Sequence, residues 1–379
     1  MGSIIYLDNS STTKPCKAAT ENINSALEHF WGNPSSLHRL GVEAEIPVSE
    51  ARTEIARVLN CREDEIYFTS CGTESNNTAI FGVCKSRKKR GKRIVTTAIE
   101  HPSVLEAFKR MEEEGFEVIY LKPNRDGVVS EKDIENAVNK DTILVSIMLV
   151  NNETGAIEPI KAAADIIKKS GAPALLHCDA VQGFGKMPIN VNSLGIDLLS
   201  VSAHKIHGPK GIGALYIKKG VNISPLLFGG GQEKGMRSGT ESVPLIMGFK
   251  GAVSELGNIN ESLKKTKELW AYAKDKLLAT NIATVNSSDE ALPYILNISV
   301  VGYRSETLLH FLEAKNIYVS SGSACAKGEG SYVLREMGLK PERIDSALRI
   351  SFSRFTEKQE IDALCQALIE ATQKLRRVK

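Results

Sequence analysis

The chain has 379 residues, of which 42% are hydrophobic and 25% are charged, an ordinary composition for a globular protein. One hydrophobic core rarely serves a chain of this length, so we expect two lobes. Its 48 lysines and arginines and 45 acidic residues leave a net charge of +3, which is too small to indicate a nucleic-acid-binding surface.

Membrane and metal-binding classes are disfavoured by the same sequence. No apolar stretch approaches membrane-spanning length, and the first residues lack the basic and apolar regions of a secretory signal. The seven cysteines are scattered and include no Cys-x-x-Cys pair, which disfavours a disulfide framework and a zinc site. We therefore expect a cytoplasmic protein with no resident metal, no membrane contact and no direct nucleic-acid binding.

Short apolar runs alternate with amphipathic ones through the first two thirds of the chain. The apolar runs predict strands at residues 65–69, 93–97, 117–121, 142–150, 174–178, 198–201 and 213–217. Helical patterns lie between several of them, at residues 73–89, 102–114, 131–139 and 160–170. This alternation predicts an α/β fold with a mostly parallel sheet that helices cover on both faces.

A second lobe is predicted in the last third. A glycine-rich segment at residues 228–232 interrupts the alternation, and one long helical stretch is predicted over residues 243–280. Beyond it, predicted strands at residues 294–300, 317–320 and 347–352 alternate with predicted helices at residues 305–315, 331–337 and 356–376. We therefore predict a large domain over residues 16–255 and a smaller α+β domain made of residues 1–15 and 256–379.

Polar motifs follow the predicted strands at several points. They lie at residues 70–73, 100–101, 151–155, 179–182 and 202–205. Ligands of parallel sheets gather at the carboxyl ends of the strands, so these motifs predict one shared site.

Two segments carry the most specific chemistry. Lys205 lies between a strand and a glycine-bounded loop, which suits a lysine that meets a carbonyl cofactor at a fixed point, although a surface lysine in a turn is the alternative. Cys325 lies in a run of small polar residues that can keep a thiol accessible. A Schiff-base lysine together with a thiol nucleophile indicates chemistry on the sulfur of an amino acid.

Three motifs near the predicted strand ends fit pyridoxal phosphate. Asp179 closes an apolar strand, where its carboxylate can pair with a pyridinium nitrogen, or can instead cap a helix. Gln182 lies within reach of the phenolic oxygen of the same ring. Gly72 and Thr73 open a helix whose N–H groups can hold a phosphate, although the pattern is also an ordinary cap.

Two further side chains are candidates for the ring and the substrate. His101 precedes a proline at a predicted helix start and can stack on a flat ring and move protons, although a lone histidine is more often structural. Arg349 lies in an apolar strand and needs an anion. A substrate carboxylate or an internal salt bridge would meet that need.

Taken in order, these motifs resemble those of IscS/NifS-type cysteine desulfurases along essentially the whole chain. The resemblance is carried by residues 6–10, 33–38, 68–77, 100–101, 151–153, 179–182, 202–213, 237–240 and 321–326. It implies the aspartate-aminotransferase-like fold of class V aminotransferases, which are pyridoxal-phosphate enzymes, and a homodimer. It also implies conversion of L-cysteine to L-alanine, with the sulfur carried as a persulfide on Cys325.

The resemblance further implies a role for each matching residue. The implied cofactor contacts are Gly72, Thr73, His101, Asn152, Asp179, Gln182, Ser202, His204, Lys205 and, across the dimer interface, Thr240. Asn152 and Arg349 would hold the substrate carboxylate, and Lys205, His101 and Cys325 would be catalytic. Cys325 would also be a candidate transient ligand of an iron–sulfur cluster.

Three features depart from the usual pattern of that family. Cys71-Gly72 stands where Gly-Ala is usual, Cys178 stands where valine is usual, and the segment after Cys325 is slightly short. From the short segment we predict a tRNA- or thiamine-thiolation protein as the main sulfur acceptor, with iron–sulfur scaffolds as secondary acceptors. The alternative functions are a selenocysteine lyase, a class V transaminase and a sulfur-donating scaffold subunit, although a transaminase needs no thiol.

Overall fold

The computed structural model describes residues 4–321 and 330–378, so Cys325 lies outside the described residues. The strands are β1 (Ile5–Tyr6), β2 (Ile66–Thr69), β3 (Arg93–Thr97), β4 (Glu117–Leu121), β5 (Thr142–Ser146), β6 (Leu175–Asp179), β7 (Leu198–Ser202), β8 (Gly213–Ile217), β9 (Thr284–Val285), β10 (Ile295–Ser299), β11 (Ile317–Tyr318) and β12 (Ala347–Ser351). The α-helices are α1 (Lys17–His29), α2 (Arg39–Leu59), α3 (Gly72–Arg87), α4 (Pro102–Glu113), α5 (Glu131–Ala137), α6 (Ile160–Ser170), α7 (Val191–Leu194), α8 (Val243–Ser254), α9 (Ile259–Ala279), α10 (Ser305–Glu313), α11 (Tyr332–Glu336), α12 (Pro341–Asp345) and α13 (Lys358–Lys374). Short 3₁₀ turns lie at Glu63–Glu65, Ala203–Lys205 and Glu233–Gly235.

The main sheet contains seven strands in the order β2-β8-β7-β6-β5-β3-β4. Neighbouring strands pair in parallel except at β8, which is antiparallel to both β2 and β7. The predicted mostly parallel sheet is therefore confirmed. The predicted strand end at residue 150 is wrong, because β5 stops at Ser146, although the N–H groups of Ile147 and Leu149 still donate to carbonyl oxygens along β6.

Apolar side chains alternate between the two faces of this sheet. In β6, Leu176 and Cys178 pack into the core beneath α1, α2, α6 and α8, whereas Leu175 packs into the core beneath α3 and α4. In β7, Val201 and Leu198 divide between the same two cores. Successive side chains of a strand point to opposite faces, which is why helices cover both sides.

The remaining strands form two smaller sheets. Strands β12, β10 and β9 pair antiparallel, and β1 pairs in parallel with β11. A separate apolar core lies here and includes Leu269 of α9, Leu308 of α10 and Leu364 of α13. The domain boundaries at residues 15/16 and 255/256 stay predictions.

The single helix predicted over residues 243–280 is wrong. The structure has two helices, α8 and α9, separated by residues 255–258. Gly257 has a φ of +61°, which ends the helical path. The Asn258 side chain then accepts hydrogen bonds from the N–H groups of Asn260 and Glu261 and begins α9.

The chain segment after β1 connects the smaller sheets to the main one. Asn9 Nδ2 donates to the carbonyl oxygen of Ser351 in β12 at 2.9 Å. Thr13 Oγ1 donates to the carbonyl oxygen of His204, in the turn after β7, at 2.9 Å. The early residues therefore cross the carboxyl end of the main sheet, where the polar motifs lie.

Three further findings hold within the described ranges. No helix there combines the length and apolar character needed to cross a membrane. No group of three or more His, Cys, Asp and Glu side chains there is placed to hold a metal ion. The six cysteines of these ranges are all free.

Candidate active site

A cavity of about 1050 Å³ opens at the carboxyl ends of the parallel strands. It brings together ten of the predicted site residues, namely Gly72, Thr73, His101, Asn152, Asp179, Gln182, Ser202, His204, Lys205 and Arg349. The predicted residue Thr240 is exposed and does not line the cavity. Ser320 and Gly330, on either side of the segment that contains Cys325, do line it.

Lys205 is held with its amine inside the cavity wall. It ends the 3₁₀ turn after β7, and its Nζ donates to the carbonyl oxygens of Ser10 at 2.5 Å and Ser11 at 2.8 Å. Burial lowers the pKa of Lys205 to about 8, and the charge of Arg349 acts in the same direction. A lysine with this pKa is partly unprotonated near neutral pH, as a nucleophilic or proton-accepting amine must be.

Asp179, the last residue of β6, has both carboxylate oxygens occupied. Asn76 Nδ2 of α3 donates to Oδ2 at 2.7 Å, and the N–H group of Val181 donates to Oδ1 at 3.0 Å. These two hydrogen bonds fix the orientation of the carboxylate, which lines the cavity.

Gln182 has a fixed amide orientation. Its Nε2 donates to the carbonyl oxygen of Ser10 at 2.9 Å, and its Oε1 accepts from Lys186 Nζ at 3.1 Å. Lys186 is buried, and burial lowers its pKa to about 7, with the charges of Lys205 and Arg349 acting in the same direction. The buried lysine therefore determines which end of the Gln182 amide is the donor.

His101 faces the cavity from the start of α4. Its Nδ1 accepts from the N–H group of Ser103 at 3.2 Å and lies 2.8 Å from Ser103 Oγ. The ring is open to solvent on the cavity side but closely surrounded by protein elsewhere. This burial lowers the pKa of His101, the charge of Lys205 lowers it further, and Asp179 opposes both effects.

The N-terminus of α3 forms a cradle for an anion. Gly72 lies there without a side chain, and a Cβ atom at this position would approach Val181 Cγ2 to 2.8 Å. Ser202 Oγ is buried and has no hydrogen-bond partner among the described residues. Burial lowers the pKa of His204 to about 4, with Lys205 acting in the same direction, so the ring is neutral. A helix N-terminus with an unpaired hydroxyl beside it suits a phosphate group.

Arg349 of β12 combines an internal salt bridge with an open donor. Its Nη2 donates to Asp8 Oδ1 at 2.8 Å and to Ser11 Oγ at 2.6 Å, and its Nη1 donates to the carbonyl oxygen of Asn152 at 2.9 Å. Its Nε, like Asn152 Oδ1, is buried without a hydrogen-bond partner in the described part of the chain. The internal salt bridge is thus present, and the Nε–H is left for a further acceptor.

The groups that line the cavity can be matched to the three polar parts of pyridoxal phosphate. A buried lysine of lowered pKa, a fixed carboxylate and an anion cradle with an unpaired hydroxyl face one space. They match the aldehyde, the ring nitrogen and the phosphate of that cofactor, so the residues present fit it.

Several site residues were missed by the sequence analysis. They are Asp8, Ser10, Ser11, Asn76, Ser103 and Lys186, each of which hydrogen-bonds to a predicted site residue. Asp8, Ser10 and Asn76 lie within segments that carried the family resemblance, which was the available signal. Lys186 carried no such signal.

The comparisons with known proteins agree with this geometry. The family model described as aminotransferase class-V matches residues 5–364. A cysteine desulfurase of Nostoc sp. is 41% identical over 99% of this chain and 94% of its own length. The cysteine desulfurase IscS of Methanosarcina thermophila is 41% identical over 98% of this chain and 93% of its own length.

Solved structures give the same result. A NifS-like protein superposes with a TM-score of 0.93 at 38% identity and covers 98% of this chain and 100% of its own. A structure of SspA in complex with cysteine gives a TM-score of 0.83 at 33% identity and covers 93% of this chain and 99% of its own. The fold class predicted from the sequence is therefore confirmed. The chain belongs to the class V aminotransferase family, as a pyridoxal-phosphate-dependent enzyme of the IscS/NifS cysteine desulfurase type.

Proposed function

We propose that this chain converts L-cysteine to L-alanine and receives the sulfur as a persulfide on Cys325. The observation that carries the proposal is the convergence of Lys205, Asp179 and the unpaired Nε of Arg349 on one cavity. The overall change is balanced, because L-cysteine and the Cys325 thiol give L-alanine and the Cys325 persulfide.

When bound, pyridoxal phosphate supplies an electron sink for bonds at the α- and β-carbons of the amino acid. We assign its phosphate to Gly72, Thr73, Ser202 and His204, with Thr240 contributed by a second subunit. Its ring would be held by His101, Asp179 and Gln182, and Asn152 would lie beside it. Lys205 would carry the covalent link to its aldehyde carbon.

The substrate carboxylate is assigned to Arg349 and Asn152. The Nε–H of Arg349 has no hydrogen-bond partner among the described residues, and a charge-assisted hydrogen bond from it would orient the amino acid. Asp8 and Ser11 hold the other end of the guanidinium, so the group cannot rotate away.

Proton movement is assigned to Lys205 and His101. With a pKa of about 8, the Lys205 amine can accept a proton from the substrate near neutral pH and return it. The carbonyl oxygens of Ser10 and Ser11 hold the amine and keep it aimed at one point of the cavity.

Sulfur removal is assigned to Cys325, which lies outside the described residues. Ser320 and Gly330, which flank its segment, both line the cavity. A thiolate is a strong nucleophile toward sulfur, so Cys325 would bond to the substrate sulfur as the carbon–sulfur bond breaks.

The active unit is proposed to be a homodimer. Trp31 is 69% and Leu37 is 99% exposed, and Val42 and Ile46 of α2 are also exposed on one helical face. Phe228 is 73% exposed and lies in the same stretch as Thr240. A large exposed apolar surface is typical of an interface. Light scattering on a size-exclusion column tests this, and a fully active monomer at micromolar concentration would contradict it.

The sulfur acceptor is proposed to be a tRNA- or thiamine-thiolation protein, with iron–sulfur scaffolds as secondary acceptors. The support is the short segment after Cys325. Transfer of radiolabelled sulfur from Cys325 to one acceptor of each kind tests this, and preference for the scaffold would contradict it. We also expect a cytoplasmic location, on the basis of the scattered cysteines.

The experiment that tests the function measures alanine and sulfide release from L-cysteine by the protein supplied with pyridoxal phosphate and an excess of a thiol reductant, which is oxidised to its disulfide as it returns the Cys325 persulfide to the thiol and releases sulfide. Cys325→Ala should lose both products by about 10²-fold or more while the cofactor absorbance stays. Lys205→Ala should lose both products and the borohydride-stable label on the peptide at residue 205. Cys61→Ala and Lys210→Ala are the matched controls, and neither residue lines the cavity.

Release by Cys325→Ala at the rate of the unsubstituted protein would exclude the thiol as the sulfur acceptor. Transfer of the amino group of L-cysteine to a 2-oxo acid with the carbon–sulfur bond intact would favour the transaminase alternative. Faster turnover of L-selenocysteine than of L-cysteine would favour a selenocysteine lyase. Alanine release that needs an added acceptor protein would favour the sulfur-donating scaffold subunit.

A further inference from the structure

A continuous chain of hydrogen bonds joins the carboxylate of Asp179 to the ring of His101. Asn76 Nδ2 donates to Asp179 Oδ2 at 2.7 Å and to Ser103 Oγ at 2.9 Å. Ser103 Oγ lies 2.8 Å from His101 Nδ1. Asn76 is buried near the start of α3, and Ser103 lies in the first turn of α4.

The direction of each bond follows from counting hydrogens. An asparagine amide has two N–H groups, and both are used, one on Asp179 and one on Ser103. The amide cannot be reversed, because its carbonyl oxygen would then face the carboxylate oxygen of Asp179. Ser103 Oγ therefore accepts from Asn76, and its own hydrogen is free to go to His101.

His101 Nδ1 consequently faces two donors. The Ser103 hydroxyl donates to it at 2.8 Å and the Ser103 backbone N–H donates to it at 3.2 Å. A ring nitrogen that accepts carries no proton, so in the neutral ring the proton lies on Nε2.

We propose that Asn76 and Ser103 are positioning residues that fix the tautomer of His101 with its proton on Nε2. The consequence for the reaction rests on the proposed function, in which His101 moves protons at the cofactor. Because hydrogen bonds from Ser103 occupy Nδ1, the ring gains and loses its proton at Nε2.

The same chain keeps the two acid–base groups separate. An amide transmits orientation but does not accept a proton near neutral pH, so Asn76 ties His101 to Asp179 without letting a proton pass between them. The other carboxylate oxygen of Asp179 accepts from the N–H of Val181, so neither oxygen is shared with His101. His101 and Asp179 can then act at different steps.

Among the described residues, the charged and titratable groups that act on His101 come from two elements. Asp179 at the end of β6 favours the protonated ring, and Lys205 in the turn after β7 disfavours it. His204, in the same turn, also lies near enough to interact with His101. The Ser103 hydroxyl acts in the same direction as Lys205, because a proton on Nδ1 would meet a hydrogen already donated there.

The test is nitrogen-15 NMR of histidine-labelled protein carrying pyridoxal phosphate, with His101→Gln to assign the ring signals. In the unsubstituted protein, Nδ1 should have the shift of an unprotonated nitrogen and Nε2 that of a protonated one. Ser103→Ala keeps the backbone N–H donor to Nδ1 but loses the hydroxyl, so it should add a detectable population of the second tautomer and raise the titration midpoint of the ring by about 0.5–1 pH unit. Ser103→Thr keeps a hydroxyl and should restore the original spectrum.

A second readout is the pH profile of alanine release. The acid limb of this profile should move to higher pH in Ser103→Ala, by the same amount as the NMR midpoint. In Ser103→Thr it should lie at the pH of the unsubstituted protein. Ser86→Ala is the matched control and should change neither readout, because the Ser86 hydroxyl donates to the carbonyl oxygen of Val83 within α3.

Different results would overturn the tautomer of His101 and the conversion of cysteine to alanine. A proton on Nδ1 in the unsubstituted protein, or a Ser103→Ala ring with an unchanged spectrum and midpoint, would overturn the inference even if cysteine is converted to alanine. A protein that releases no alanine from cysteine would overturn the function, and the NMR result would still decide the tautomer.

Discussion

Two walls of the active-site cavity are built in different ways. The ring wall, which we define as His101, Asp179 and Gln182, has His101 Nδ1, both carboxylate oxygens of Asp179 and both ends of the Gln182 amide paired by neighbouring protein groups. The substrate wall, which we define as Asn152 and Arg349, keeps Asn152 Oδ1 and Arg349 Nε unpaired among the described residues. A buried polar atom without a partner costs about 1–3 kcal/mol. Such atoms are expected where a ligand supplies the missing partner, so the difference separates a rigid cofactor support from an open binding surface.

The origins of the two walls also differ. The ring wall comes from the end of β6, the turn that follows it and the start of α4, which meet at one edge of the main sheet. The substrate wall joins the loop after β5 to β12, and Asp8 reaches the same guanidinium from the start of the chain. Parts that are far apart in sequence therefore meet only when the smaller sheets pack beside the main one.

The largest expected effect lies on the substrate wall. In Arg349→Lys the charge is kept, but Nε–H and the forked geometry are lost. We expect the KM for L-cysteine to rise by about 10–100-fold, the loss of one charge-assisted hydrogen bond, while the absorbance of the bound cofactor stays unchanged. Steady-state kinetics and absorbance spectra measure the two effects.

Arg354→Lys is the matched control, because Arg354 is also largely buried and paired with a carboxylate, Glu255, but does not line the cavity. It should leave the KM unchanged. If Arg349→Lys lost the bound cofactor instead, the substrate wall would also be needed to hold the cofactor, and the two walls would not have separate roles.

The different origins of the two walls also explain which site residues could be predicted from the sequence. The strand ends of the main sheet were predicted because a parallel sheet gathers polar residues at one edge, and Asp179, Gln182 and Lys205 line the cavity there. The length and the alternation of apolar runs were enough to place these elements.

The partners of these residues were not predictable in that way. Asp8 reaches Arg349 across the chain, and such a pairing leaves no local pattern. Lys186 looks like a surface lysine in the sequence but is buried beneath Gln182. The break between α8 and α9 depends on two residues, Gly257 and Asn258. The apolar periodicity on both sides of them predicted one continuous helix.

The second prediction concerns the support of the ring wall and its pH dependence. Lys186 has a pKa of about 7 in the folded chain and an ordinary value of 10.5. Between these values the unfolded chain binds more protons, so folding stability rises with pH through this window and the charged form opposes folding below it. Lys186→Met removes this contribution.

We expect the free energy of unfolding of Lys186→Met, relative to that of the unsubstituted protein, to fall by roughly 2 kcal/mol between pH 7 and pH 9. Urea denaturation at both pH values measures the difference. Lys210→Met, at an exposed lysine, should show no such change. A difference independent of pH would mean that Lys186 is charged in the folded chain and that its amine is not held as described.

The smallest effect is expected at Cys71, where the chain departs from the usual family pattern beside the anion cradle. Cys71 is the N-cap of α3, yet its side chain makes no capping hydrogen bond, and its nearest polar contact is Ser70 Oγ at 3.6 Å. The cradle needs the backbone N–H groups and the missing side chain of Gly72, not the thiol. Cys71→Ala should therefore keep alanine release within about 2-fold of the unsubstituted value, because no charge-assisted bond is lost.

Cys71→Ser adds an oxygen where helix caps prefer one and should raise the free energy of unfolding by about 0.5–1 kcal/mol. Activity assays and urea denaturation check the two variants. The thiol lines the same cavity as Lys205, so the informative case is the double variant Cys71→Ala with Cys325→Ala. If Cys325→Ala alone kept part of its sulfide release and the double variant lost it, Cys71 would be a second sulfur acceptor. The departure at Cys71 would then be functional, and the cradle side of the cavity would take part in the sulfur chemistry.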